Sequence, residues 1–86
     1  MNTVEWAVKA LKQLRKLPKQ DAVRIYEKVQ YLRDFPHCDG ADIKTLQNHE
    51  YPYRLRIGRY RVFFDFSAAI RVIHIEEVKK RDERTY

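Results

Sequence analysis

Tyr53-Arg54-Leu55-Arg56-Ile57-Gly58-Arg59-Tyr60-Arg61-Val62-Phe63-Phe64 decides the fold. Tyr53, Leu55 and Ile57 alternate with Arg54 and Arg56, the period of two that a half-buried strand requires. Gly58-Arg59 is short enough for a hairpin turn, and Tyr60 to Phe66 resumes the alternation as the next strand. The apolar set must face a core, so Tyr60, Val62, Phe64 and Phe66 are expected inward and Arg59, Arg61, Phe63 and Asp65 outward. Together with Arg54 and Arg56, these arginines and one aromatic ring would share a single sheet surface.

Downstream, Ser67-Ala68-Ala69 is a turn and Ile70 to Val78 a further strand. Upstream, Thr3-Val4-Glu5-Trp6 alternates and is rich in β-formers, a short first strand. Helical spacing follows. Val8, Leu11, Leu14 and Leu17 recur with polar residues between them, and Pro18 stops the run. Ala22, Ile25, Tyr26, Val29 and Leu32 form the stripe of a second amphipathic helix, beginning near Lys19 to Asp21 and ended by Pro36. His37 to Asp42 is a polar turn region, and Ile43 to Leu46 a connector, extended or helical. The expected class is α+β, in the order β-α-α-β-β-β: a two-helix hairpin on one face of a small, mostly antiparallel sheet, the other face left open.

The 86 residues suffice for one domain, 1–86, and one core. A hydrophobic content of 44% with 13% aromatics is that of a folded chain, and two glycines and three prolines leave little room for linkers. Eighteen Lys+Arg against twelve Asp+Glu give a net charge of +6, suited to polyanions or an acidic protein partner. Cys38 is the single cysteine, so no internal disulfide can form, which points to the cytoplasm. Met1 to Leu17 contains no uninterrupted apolar stretch of signal-peptide or membrane-span length, so no membrane partner is expected.

Guanidinium groups bind phosphate oxygens through a bidentate fork, and an aromatic ring among them can stack on an unpaired base. The open face therefore suits single-stranded RNA. It suits equally a solvated sheet surface on which Arg61 pairs with Asp65, Glu76 or Glu77. The closing run Val78-Lys79-Lys80-Arg81-Asp82-Glu83-Arg84-Thr85-Tyr86 adds cations and a phenol.

The stretch from Tyr53 to Phe64 resembles the "YRLRxGxYRxxY" segment of the RelE/ParE toxin superfamily, and Lys80 to Tyr86 resembles that superfamily's basic "R…Y" closing motif. The likeness covers nearly the whole chain. It implies a RelE-like fold and a toxin of a type II toxin-antitoxin system: an mRNA interferase that cleaves mRNA at the ribosomal decoding site. The RNA's own 2′-hydroxyl attacks the adjacent phosphate, with no metal and no cofactor. By matched position, Arg61 would hold the scissile phosphate, Arg54 and Arg56 would supply further positive charge, Arg81 would steady the phosphate or leaving oxygen, and Tyr86 would orient or deprotonate the 2′-hydroxyl. Arg59, Phe63, Lys79, Lys80 and Arg84 would bind RNA, and Arg84 is an alternative to Arg81. The superfamily often has lysines where Arg54 and Arg56 stand; Glu76, Glu77 and His74 are therefore alternative bases to Tyr86. The partners implied are an acidic cognate antitoxin in a hetero-oligomer, mRNA and the ribosome.

Two other functions fit the same residues. ParE-like members inhibit DNA gyrase and cut nothing, but generally lack the full cationic and phenolic set; a non-catalytic RNA-binding module would use the arginines on phosphates alone. His37, His49 and His74 are scattered without metal-ligand spacing. His49, just before the basic strand, belongs either to a surface loop or to the rim of that strand. Trp6, Tyr26 and Tyr31 are expected to pack in the core or on the helices.

Overall fold

A computed structural model of the protein describes residues 1–81. The chain runs β1 (Thr3–Trp6), α1 (Val8–Arg15), α2 (Lys19–Val29), a 3₁₀ turn (Gln30–Asp34), β2 (Asp42–Thr45), β3 (Tyr53–Ile57), β4 (Tyr60–Ser67) and β5 (Val72–Lys80). The strands form one five-stranded sheet in the order β1-β5-β4-β3-β2. β1 lies parallel to β5, and the other neighbours pair antiparallel. The hairpin of helices on a mostly antiparallel sheet matches the sequence expectation.

Three details differ. The connector that sequence left open is a strand: Ile43 pairs with Leu55 at the sheet edge. The last strand starts at Val72 rather than Ile70, because Arg71 at φ 54° closes the preceding turn and leaves Ile70 67% exposed. The second helix tightens to 3₁₀ geometry after Val29, which still carries Leu32 into the core.

The core lies between the helices and one sheet face. Ile25, Val29 and Leu32 meet Leu55, Val62, Phe64, Ile73 and Ile75, all buried. Phe35 turns its ring edge toward Tyr53, Phe64 and Phe66, with centroids 5.1 to 5.4 Å apart. Burying a ring such as Phe64 contributes about 1.5–3 kcal/mol. Tyr26, expected on this stripe, is instead half exposed and stacks on Trp6; Tyr31 is exposed as well, beneath Lys28.

Buried polar groups anchor the layers. Asn2 Nδ2 donates to the carbonyls of Leu32 and Phe35, tying the start of β1 to the end of the helical layer. Between Phe63 and Phe64 the β4–β5 register slips, so Phe63 faces Glu77 while Phe64 faces Ile75. Gln13 Oε1 of α1 accepts the Val78 N–H close to that bulge at 2.7 Å. The bulge resets the phase of β5: Ile73, Ile75 and Val78 are all in the core, and Glu77 goes to the open face. Among the described residues, no helix is long and apolar enough to cross a membrane.

Candidate nucleic-acid interface

The alternation in β3 has the expected phase: Leu55 is buried and Arg56 is exposed on the face away from the helices. Register then sets the neighbours. Asp42, Arg56, Arg61 and Lys79 form one row across β2, β3, β4 and β5; Lys44, Arg54, Phe63 and Glu77 form the next. Arg61 thus lies between Arg56 and Lys79. Like charges directly opposite each other on a sheet repel, so this row costs stability.

Arg54 and Arg56 of β3, Arg59 of the turn, Arg61 of β4 and Arg81 beyond β5 line a cleft of about 80 Å³. Two backbone features build it. Gly58 holds φ +56° at the first central position of the Ile57–Tyr60 hairpin, where glycine carries no side-chain penalty. The Arg81 N–H then donates to the Arg59 carbonyl, which brings the end of β5 to the turn. Behind the turn, the Tyr60 hydroxyl donates to Asp21 of α2 at 2.6 Å, and that bond raises the pKa of the phenol.

The five arginines are not equivalent. Arg54 is only 18% exposed; its Nη2 lies 3.0 Å from Asp42 Oδ1, while its buried Nε has no partner among the described residues. The expectation of full exposure is corrected for this residue. Arg56 and Arg61 are exposed and make no ion pair among the described residues. Two of the three carboxylates expected beside Arg61 are engaged elsewhere. Asp65 accepts the Phe66 N–H at 2.7 Å, and Glu77 lies 3.3 Å from Lys9 Nζ and 3.6 Å from Lys79 Nζ.

Phe63 points to the open face as the alternation requires, yet it is only 6% exposed. The expectation of a free stacking ring is therefore wrong. The connection between β2 and β3 folds back over it, with His49 stacked on Phe63 at 5.0 Å and 17° and Tyr51 at 5.6 Å. Lys80 is also corrected. It pairs with Tyr60, an inward residue, and so lines the groove beside Asp21 and Arg24 rather than the arginine face. Lys79 is on the arginine face. Arg84 and Tyr86 lie outside the described residues.

The alternative bases separate by position and charge. His74 sits opposite Asp65, about 13 Å along the strand from Arg61 at the usual rise, with Nδ1 3.8 Å from Glu5. Glu76 is the extra residue of the bulge. Glu77 is 6% exposed. Burial pushes its carboxyl up, but hydrogen bonds from Tyr51 and Lys9 and the charges of Lys79 and Lys9 outweigh it, so its pKa lies below the ordinary 4.5. A carboxylate so held is a poor proton acceptor at neutral pH. Burial and the bond to Glu77 push the Tyr51 phenol up to about 12. Sequence reasoning missed Lys9 and Tyr51, because their meeting at Glu77 depends on where α1 and the β2–β3 connection pack.

No protein-family model matches the chain. A curated relative does: the Methanocaldococcus jannaschii protein named "Putative toxin RelE1" is 31% identical over 80 residues, 92% of this chain and 89% of the relative. A chain of the archaeal RelE–RelB complex from Pyrococcus horikoshii superposes with a TM-score of 0.78 at 28% identity, covering 95% of this chain and 97% of that one. The isolated Escherichia coli RelE toxin shares the fold at a TM-score of 0.78 and 17% identity, covering 99% of this chain and 89% of that one. With the arginine-lined cleft on the sheet face and near end-to-end similarity to these proteins, this chain belongs to the RelE toxin family.

Proposed function

We propose that this protein is the toxin of a type II toxin-antitoxin pair and a metal-independent endoribonuclease that cuts mRNA in the ribosomal decoding site. The observation that carries this reading is the row Arg56–Arg61–Lys79, with Arg81 just beyond the end of β5 in the same arginine-lined region. A fold gains nothing from opposing like charges on three neighbouring strands; an anion placed over them reverses the sign of the interaction.

The reaction needs no protein nucleophile. A base takes the proton of the 2′-hydroxyl, the 2′-oxygen bonds to phosphorus, and the P–O5′ bond breaks as the departing oxygen gains a proton. This leaves a cyclic phosphate on one fragment and a 5′-hydroxyl on the other. Arg61 is the phosphate clamp, Arg56 adds charge from the facing strand, and Arg81 serves the phosphate or the leaving oxygen. Arg54, held by Asp42, acts mainly through its field and by fixing the edge of the cleft. Tyr86 is the base of this proposal; Glu77 is engaged by Lys9 and Tyr51, and His74 lies far along the strand.

RelE–RelB pairing in the Pyrococcus horikoshii complex supports an antitoxin as the partner. An acidic antitoxin segment would cover the arginine face and neutralise it. The test is to add purified protein to a translating extract and map new mRNA 5′ ends, with gyrase supercoiling followed in parallel. New ends within translated codons, carrying 5′-hydroxyls, are expected. Supercoiling inhibition without cleavage would replace this reading with gyrase poisoning.

A further inference from the structure

The β2–β3 connection rests on the substrate face, and its order has a visible cause. Tyr51 hydrogen-bonds to Glu77, which is held in turn by Lys9 and Lys79. The Tyr51 N–H donates to His49 Nδ1 at 3.0 Å. That bond places the neutral imidazole's proton on Nε2 and fixes the ring plane. One face of the ring lies on Phe63, while the residue remains exposed. Phe63 follows Arg61 by two positions on the same face of β4, about 7 Å along the strand. A flat, oriented, exposed ring thus stands beside a phosphate clamp.

The geometry points to His49 as a substrate-binding residue: its imidazole, backed by Phe63, is the platform on which a nucleobase next to the scissile phosphate stacks. Stacking on a ring already supported from behind avoids the entropy cost of ordering it. Nδ1 is occupied by the Tyr51 N–H, so the exposed edge offers Nε2–H as a donor to a base or a phosphate rather than as a proton acceptor. This inference rests on the nuclease reading and deepens it by naming how the base is held.

Cleavage of ribosome-bound mRNA at subsaturating protein tests it, using mRNAs with a single abasic nucleotide at each position of the decoded codon in turn. At one position the unmutated protein should lose roughly ten- to hundredfold in rate, the usual effect of removing one base–aromatic stack. His49→Ala should lose a similar factor on intact mRNA and be indifferent to that abasic site. His49→Phe should keep most of the rate and the sensitivity. If the unmutated protein cuts all the abasic mRNAs as fast as intact mRNA, the platform is wrong whether or not the variants fold. Equal abasic sensitivity in His49→Ala and the unmutated protein would also overturn it. Failure of the unmutated protein to cut intact mRNA is a different outcome, which removes the nuclease reading and this inference with it.

Discussion

At the scale of single residues, the proposed nuclease assigns the holding of charge and the moving of protons to different groups. Arg61 is exposed between Arg56 and Lys79, so Arg61→Ala should lower RNA affinity and cleavage rate together, each by about tenfold or more. Tyr86→Phe keeps the ring and removes the hydroxyl. If the phenol is the base, affinity should hold while single-turnover cleavage falls by roughly a hundredfold or more. An unchanged rate would take the phenol out of the chemistry. Glu77 makes a prediction about stability. Its folded-state pKa lies below 4.5, so the stabilisation it gives is present above about pH 4.5 and is lost as the pH falls through the depressed value. Denaturant midpoints followed from neutral pH downwards should therefore drop more steeply for the unmutated protein than for Glu77→Gln. Parallel curves would mean that Lys9 and Tyr51 contribute nothing through that carboxylate.

At the scale of elements, the hairpin joining β3 and β4 controls the cleft. Gly58 has φ +56°, and a Cβ there would sit 3.7 Å from the Arg24 guanidinium, an ordinary contact. The cost of Gly58→Ala is therefore one of backbone conformation, about 1–2 kcal/mol. It should appear as a lower denaturant midpoint at unchanged slope. A neutral result would show that the turn accepts another geometry. The β5 bulge matters in a different way. Without its register shift, the alternation of Ile73 and Ile75 would carry Glu77 inward and turn Val78 to solvent. Gln13, which accepts the Val78 N–H, binds α1 to the stretch where that reversal occurs.

At the scale of the whole molecule, charge and topology act together. The net charge is +6, and three open-face cations lie opposite one another across β3, β4 and β5. Association with an acidic antitoxin should be fast at low ionic strength and slow markedly as salt is added, because exposed charges steer encounter only within a Debye length. Stopped-flow association rates across a salt series would measure it. A rate insensitive to salt would mean that the antitoxin docks through apolar contacts and leaves the arginine face open.

The sequence by itself determined the class of fold, the phase of β3 and the open-face residues of β3 and β4. These follow from periodicity, since a strand with one apolar face has only one way to bury it. The likeness of Tyr53–Phe64 and Lys80–Tyr86 to the RelE/ParE motifs likewise points to the family from sequence alone. The tertiary structure alone decided which of those residues are available. Asp42 reaches Arg54 only because β2 joins the sheet edge, and Phe63 is covered only because the β2–β3 connection folds over it. Lys80 is taken from the arginine face by the phase of β5, which a local bulge resets. Local pattern specifies which way a side chain points; what meets it there depends on segments distant in the chain, and that is settled only by packing.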